Sequence, residues 1–169
     1  RSRGSLERMV KDLRHLWARA DHLGESIPLD ALKNHFAGQT AICLAAGPSL
    51  NRRLEFIREH MHHCVVIAVD VLQARLQESG IKVDFVLNVD SHFSLPALLT
   101  KPSDPHTVMV FPLNGHRDID AIFPRRSHFG SGGFAPILIG DKANFNTGTS
   151  VGTASIGFAD YLGCTEVII

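Results

Sequence analysis

Residues 40–50 read Thr40-Ala41-Ile42-Cys43-Leu44-Ala45-Ala46-Gly47-Pro48-Ser49-Leu50: an unbroken apolar run, a Gly-Pro-Ser turn, then the opening of a periodic segment. A short apolar run bounded by turn residues is how a strand buried on both faces of a parallel sheet is written. Further runs follow at Val65–Val69, Phe85–Val89, Val108–Phe111 and Pro136–Ile139, and Glu166–Ile169 begins another. Between them Leu50–His60, Val71–Ser79 and Ser150–Leu162 carry helical spacing, while Asp118–Phe123 is at most a short helix. Ser127–Phe134, with Gly130, Gly132 and Gly133, reads as a strand end running into a loop. Strand–helix–strand repeats of about thirty residues predict an α/β fold with a mostly parallel sheet, flanking helices and right-handed crossovers.

Upstream of this alternation, Leu6, Met9, Val10, Leu13, Leu16, Trp17, Ala20 and Leu23 recur at three- and four-residue spacing, the mark of an N-terminal amphipathic helix that stops at Gly24. Its other face holds Arg1, Arg3, Arg8, Lys11, Arg14 and Arg19, either a solvated face or a surface for another domain or an acidic partner. Ile27–Phe36 reads as a short helix after Pro28. The division expected is an N-terminal helical segment over 1–37 and an α/β domain over 38–169. Because the chain ends at Glu166-Val167-Ile168-Ile169, in what reads as mid-strand, it is expected to be a C-terminally truncated fragment of a longer protein.

Composition narrows the function. The 169 residues are 44% hydrophobic and 20% charged, as in one soluble globular domain. Seventeen Lys and Arg balance seventeen Asp and Glu, so no global field favours nucleic acid or an anionic membrane. Ten His would raise the charge below about pH 6.5, where unperturbed imidazoles gain protons. Cys43, Cys64 and Cys164 lack CxxC spacing and lie in or beside apolar runs, which points to a reducing, cytoplasmic setting. No run reaches the roughly 18 apolar residues of a membrane span, and no signal-peptide core opens the chain.

In open parallel sheets ligands bind outside the carboxyl ends of the strands, which singles out Gly47–Ser49, Asp70, Asp90–His92, Pro112–His116 and Gly140–Ser150. At the first turn Gly47 can take a backbone conformation closed to other residues and admits a ligand to the main chain. Pro48 stiffens the turn, and Ser49 either caps the following helix or gives its hydroxyl to a phosphate at the helix N-terminus. An ordinary strand-to-helix turn uses the same residues. The stretch is neither GxGxxG nor a Walker loop, so it supports neither dinucleotide nor P-loop chemistry.

The second candidate is Asn144-Phe145-Asn146-Thr147-Gly148-Thr149-Ser150, which runs into a helix. Asn146, Gly148, Thr149 and Ser150 offer hydroxyls, amides and free N–H groups suited to a ribose, a phosphate or a sugar carboxylate, although capping by Thr149 or Ser150 explains part of the pattern. Close packing against the sheet accounts for the small residues Gly152, Ala154, Ser155, Gly157 and Ala159 that follow. Asp70 and Asp90 end two runs, and a carboxylate there accepts ribose hydroxyls, binds Mg²⁺ beside a diphosphate, or caps the next helix. His92, two residues past Asp90, can pair with it or carry a proton, or be purely structural. The His60, His62 and His63 group has no partner at zinc spacing and reads as surface. Neither a GxSxG elbow nor HExxH is present.

Ile42–Leu50, Ile67–Asp70, Gly80–Asp90, Gly148–Val151 and Leu162–Cys164, in this order and spacing, resemble the motility-associated-factor (Maf) glycosyltransferases, whose central domain is similar to archaeal 6-hydroxymethyl-dihydropterin pyrophosphokinases. The likeness spans roughly residues 38–169. It implies a Rossmann-like nucleotide-sugar-binding domain, and the Gly-Pro-Ser-Leu turn also looks like the nucleotide site of bacterial sialyltransferases. By that similarity the activity is transfer of a nonulosonic acid from a CMP donor to Ser or Thr of flagellin in the cytoplasm. Gly47, Pro48 and Ser49 would hold the donor phosphate, Asp70 and Asp90 would line the nucleotide crevice, and Thr149 and Ser150 would close its other side. The family's last strand here is usually followed by an acidic residue, and this chain stops at Ile169 first. Asp90 and His92 are the candidates for base, with Asp90 also the Mg²⁺ ligand if the reaction uses one. The competing readings are Mg²⁺-dependent diphosphate transfer from ATP to a hydroxymethyl pterin, and a nucleotide-binding scaffold without catalysis.

Overall fold

Parallel strands buried on both faces need helices on each side, and the computed structural model has that layered arrangement. It describes residues 7, 10, 13–14, 16–90, 99–130 and 144–169. The strands are β1 (Thr40–Leu44), β2 (Val65–Val69), β3 (Phe85–Leu87), β4 (Val108–Pro112), β5 (Arg126–Phe129) and β6 (Glu166–Ile168). They form one sheet in the order β5-β4-β3-β2-β1-β6, every pair parallel. The run at Pro136–Ile139 lies outside the described residues, as do His92 and much of the N-terminal helix.

The helices are α1 (Leu29–Leu32), α2 (Leu50–His60), α3 (Gln73–Glu78), α4 (Ile119–Ile122) and α5 (Val151–Tyr161). Alternation along the strands divides the core between two faces. Ile42, Leu44, Val66, Ala68 and Met109 pack with Leu50 and Ile57 of α2, Leu76 of α3 and Ile119 of α4. Cys43, Val65, Ile67, Phe85 and Val110 pack with Leu29 and Leu32 of α1 and with Ala154, Phe158 and Ala159 of α5. Each large aliphatic or aromatic side chain enclosed in this way stabilises the fold by about 1.5–3 kcal/mol relative to exposure. The segment expected as one helix over Val71–Ser79 instead opens with a 3₁₀ turn at Asp70–Leu72.

Two expectations change. The first concerns β5, which the sequence presents as a strand end dissolving into a loop. Arg126-Ser127-His128-Phe129 is a fully buried strand, hidden from a hydropathy reading because three of its four residues are polar. Its Arg126 is held by Glu25 (Nη2 to Oε2, 3.0 Å) and Asp120 (Nε to Oδ1, 3.4 Å), and Ile27 N donates to the Arg126 carbonyl at 2.8 Å. The second concerns the N-terminal helix. Trp17, placed on the apolar face, is 85% exposed, and Val10 and Leu13 are each 40% exposed; Arg19, placed on the charged face, is 1% exposed. The helix is turned by what Arg19 can reach: Nε donates to Asp120 Oδ2 at 3.1 Å, Nη1 to the Leu113 carbonyl and Nη2 to the His116 carbonyl, with the guanidinium over the Phe111 ring. A guanidinium can be buried where carboxylate and carbonyl acceptors meet it, and turning it outward would take the donor from the Leu113 and His116 carbonyls.

Candidate functional site

From β1 the chain steps outward through β2, β3, β4 and β5, then returns to place β6 on the other flank of β1. The strand order thus reverses at β1, and a reversal opens a crevice at the carboxyl ends of the strands. The turn that leaves β1 here is Ala45–Ser49, which leads into α2. Gly47 is not among the residues with positive φ, and a Cβ there would meet only Ser49 Oγ at 3.6 Å. The expectation of a conformation closed to other residues is therefore corrected, because the turn closes by Gly47 N donating to the Ala45 carbonyl and Leu50 N to the Gly47 carbonyl. What glycine provides is open space over the main chain. Pro48 and Ser49 are exposed, and Ser49, at the N-cap of α2, makes no side-chain capping bond, so its hydroxyl is available.

The second turn lies beside the first. α5 packs across β1, β2 and β3, and a Cβ on Gly152 would touch the Ala45 methyl at 3.7 Å. Two residues without side chains set the path into this helix. Gly148 has φ +58, a left-handed conformation, and a Cβ there would strike Thr153. A Cβ on Gly157 would run into the Asn146 carbonyl oxygen, so part of α5's small-residue face seats the Asn146–Ser150 turn rather than the sheet. Asn146 Oδ1 accepts from Gly148 N at 3.1 Å.

Thr153 is the residue the sequence reading missed. Its N–H donates to Ser150 Oγ while its hydroxyl accepts from Ser150 N and Thr149 N, a capping box built with threonine at its third position. The Ser150 hydroxyl and two backbone amides are thereby engaged within the protein. The Thr149 hydroxyl and the first-turn amides of Val151 and Gly152 take no part in that capping box.

Asp70 and Asn88 stand at the ends of β2 and β3. Asp70 is 7% exposed, and both carboxylate oxygens accept: Oδ2 from Asn88 Nδ2 at 2.6 Å and Oδ1 from Val71 N at 2.8 Å. Burial pushes its pKa above the ordinary carboxylate value, and the charge of Asp90 adds to the rise. Asn88 Oδ1 in turn accepts from Asp90 N at 3.2 Å, so one buried amide ties both carboxylate-bearing strand ends together. Asn88 was visible in the sequence only as a neighbour of Asp90. Asp90 itself is exposed at the crevice mouth, and its postulated partner His92 lies outside the described residues.

Away from the crevice, His60, His62 and His63 are exposed, with His60 stacked on Phe56. Burial pushes the Cys43 thiol up to about 11, leaving it a core residue rather than a nucleophile. On the β6 side of β1 runs an apolar groove of about 310 Å³, lined by Leu44, Leu50, Phe56 and Ile168 with Ser49 and Arg53 at its polar margin. No described helix is long and apolar enough to cross a membrane.

A family model for 6-hydroxymethylpterin diphosphokinase MptE-like proteins matches residues 15–169. The chain belongs to this family. Among solved structures, the MptE-like chain is similar to the Maf glycosyltransferase from Magnetospirillum magneticum AMB-1, at 17% identity and a TM-score of 0.69. The match covers 82% of this chain and 25% of that one, so the MptE-like fold spans about a quarter of that structure's length. No curated protein matches the sequence.

Proposed function

We propose that the chain is the nucleotide-sugar-binding part of a glycosyltransferase that moves a nonulosonic, sialic-acid-like sugar from a CMP donor to Ser or Thr of flagellin in the cytoplasm. The observation that carries this reading is the meeting of two helix-opening turns, Gly47–Ser49 and Asn146–Ser150, at the end of β1 with the buried Asp70 one strand away. Family membership and the fold shared with a Maf glycosyltransferase support it.

In this reading the donor phosphate lies on the Gly47–Ser49 main chain and the Ser49 hydroxyl, with the Thr149 hydroxyl and the α5 amides opposite. Both helix N-termini favour the negative charge that grows as the nucleotide departs. The bond from the anomeric carbon to the phosphate oxygen breaks with its electron pair going to the phosphate. The acceptor oxygen then bonds to that carbon while its proton passes to Asp90, the candidate base, with His92 as its candidate partner. Asp70, fixed by Asn88, takes ribose hydroxyls. Two neighbouring carboxylates also fit Mg²⁺, which is commonly held by one or two carboxylates with substrate phosphates completing its shell. Asp90 would hold the ion, which supplies charge neutralisation beside the phosphate.

The second reading, diphosphate transfer from ATP to 6-hydroxymethyl-dihydropterin, is favoured by the name of the matching family and by the same carboxylate pair. Mass spectrometry separates the two. Incubation with a CMP-nonulosonate and flagellin is expected to add one sugar mass per modified Ser or Thr and release CMP. Formation of AMP and a pterin diphosphate from ATP, without sugar transfer, would establish the second reading instead.

A further inference from the structure

The N-terminal helix turns an apolar stripe away from the domain, and neither reading above uses it. Glu7, Val10, Leu13, Arg14 and Trp17 are all helical and exposed, while Arg19 on the same helix is buried. Val10, Leu13 and Trp17 follow at three- and four-residue spacing, so they share one face. Rolling the helix to cover that face would take Arg19 off Asp120 and off the Leu113 and His116 carbonyls. The outward direction of the stripe is therefore fixed by a buried charge, and the chain's single Trp is held in water. Large apolar side chains exposed together in this way mark an interaction surface.

The charges beside the stripe select its occupant. Three- and four-residue spacing is that of a coiled-coil seam, along which Glu7 and Arg14 hold equivalent flanking positions one heptad apart, on the same side. In a parallel pair of such helices the two-fold axis runs along them and carries that flank to the far side of the seam, so Glu7 of one copy does not meet Arg14 of the other. In an antiparallel pair the axis crosses the helices and keeps both flanks on one side. Seating Val10 of each copy against Leu13 of the other then leaves Glu7 and the second copy's Arg14 offset by about 3 Å along the axis, within reach of two long side chains. Symmetry repeats the contact, so one register yields two Glu–Arg pairs. An acidic partner or an anionic lipid surface would instead set Glu7 against like charge.

We propose that two copies of the chain associate through this face, their N-terminal helices antiparallel, with Val10, Leu13 and Trp17 in the seam and Glu7 of each copy paired with Arg14 of the other. The apolar seam supplies the affinity, and the exposed ion pairs set the register and orientation. Two helices this short bury less than the roughly 1,600 Å² of a standard interface, so the dimer forms with a Kd of roughly 10–100 µM. The inference is independent of the nucleotide crevice.

The test is sedimentation equilibrium of the 169-residue chain from about 1 to about 300 µM, with Trp17 fluorescence followed over the same range. The wild type is expected to rise from 18.5 kDa toward twice that mass, its emission moving to shorter wavelength as Trp17 leaves water. Leu13→Glu, at an exposed position, is expected to stay monomeric with an unchanged circular dichroism spectrum. Glu7→Arg and Arg14→Glu each replace two attractions by two repulsions and are expected to weaken the dimer about 5-fold or more. The double variant Glu7→Arg/Arg14→Glu restores opposite charges and is expected to regain wild-type association. Association that survives in Leu13→Glu, or that ignores the charge exchanges, overturns the proposed seam. A monomer at every concentration overturns the dimer, and retention of that monomer on phosphatidylglycerol vesicles would assign the stripe to a lipid surface instead.

Discussion

Replacing His128 by phenylalanine is expected to remove a specific acid sensitivity from the fold. His128 lies in β5, packs edge-on against Phe111 with ring centroids 4.5 Å apart, and has no hydrogen-bond partner on either ring nitrogen among the described residues. Burial, reinforced by the charges of Arg19 and Arg126, lowers its pKa from 6.5 to about 3. The folded state therefore refuses a proton that the unfolded chain accepts. The associated stability is present above the unfolded value near 6.5 and is lost as pH falls toward 3. The full gap corresponds to about 5 kcal/mol, of which about 2 kcal/mol is lost between pH 7 and pH 5. Urea denaturation at those two pH values measures it directly. The wild type is expected to lose about 2 kcal/mol more on acidification than His128→Phe, whatever the variant's stability at pH 7. Equal losses in the two proteins would mean that His128 titrates normally, and that it is not enclosed between two arginines.

Three further outcomes follow from single contacts. Asp70 is buried with a raised pKa, so the stability linked to it is greatest in acid and falls as pH rises through the folded value. Asp70→Asn is accordingly expected to lose less melting temperature than the wild type as pH rises from about 4 to about 7, while binding nucleotide at least about 10-fold more weakly, read by thermal melts and calorimetry. Gly157→Ala drives a methyl into the Asn146 carbonyl and is expected to cost about 1–3 kcal/mol in denaturant titrations, with weakened nucleotide binding as the Asn146–Ser150 turn shifts. Arg19→Ala leaves the Leu113 and His116 carbonyls without their donor and removes one of the two cations beside Asp120; a loss of about 3 kcal/mol by urea denaturation is the expected scale for breaking a buried pair.

Apolar runs made most of the sheet legible. β1, β2, β3 and β4 are continuous hydrophobic stretches because both of their faces are covered, and α2 and α5 announce themselves by periodicity between them. β5 was illegible for the opposite reason: Arg126 and His128 are buried by virtue of Asp120, Glu25 and Phe111, which are distant in sequence and leave no local trace. The same long-range chemistry turned the N-terminal helix, since a periodic stripe shows which residues share a face but not that Arg19 has carbonyl acceptors within reach. Of the candidate site, the two turns could be placed from Gly47–Ser49 and Asn146–Ser150 because each joins a strand or loop to a helix start. The internal bonds of those turns could not: Thr153 completes the cap that Ser150 begins, and Asn88, locally bonded to Asp90, reaches Asp70 only because the parallel register sets the ends of β2 and β3 side by side.

The central claim is that the meeting point of the two turns holds the phosphate of a CMP-activated donor. Calorimetric titration of the chain with CMP and with ATP, each with Mg²⁺ and with EDTA, tests it against the double variant Gly47→Val/Ser49→Ala. The expected result is CMP binding that persists in EDTA and disappears in the double variant. Binding of ATP in preference to CMP, and only with Mg²⁺, would contradict the transferase account in favour of diphosphate transfer; CMP binding unchanged in the double variant would contradict the placement of the site.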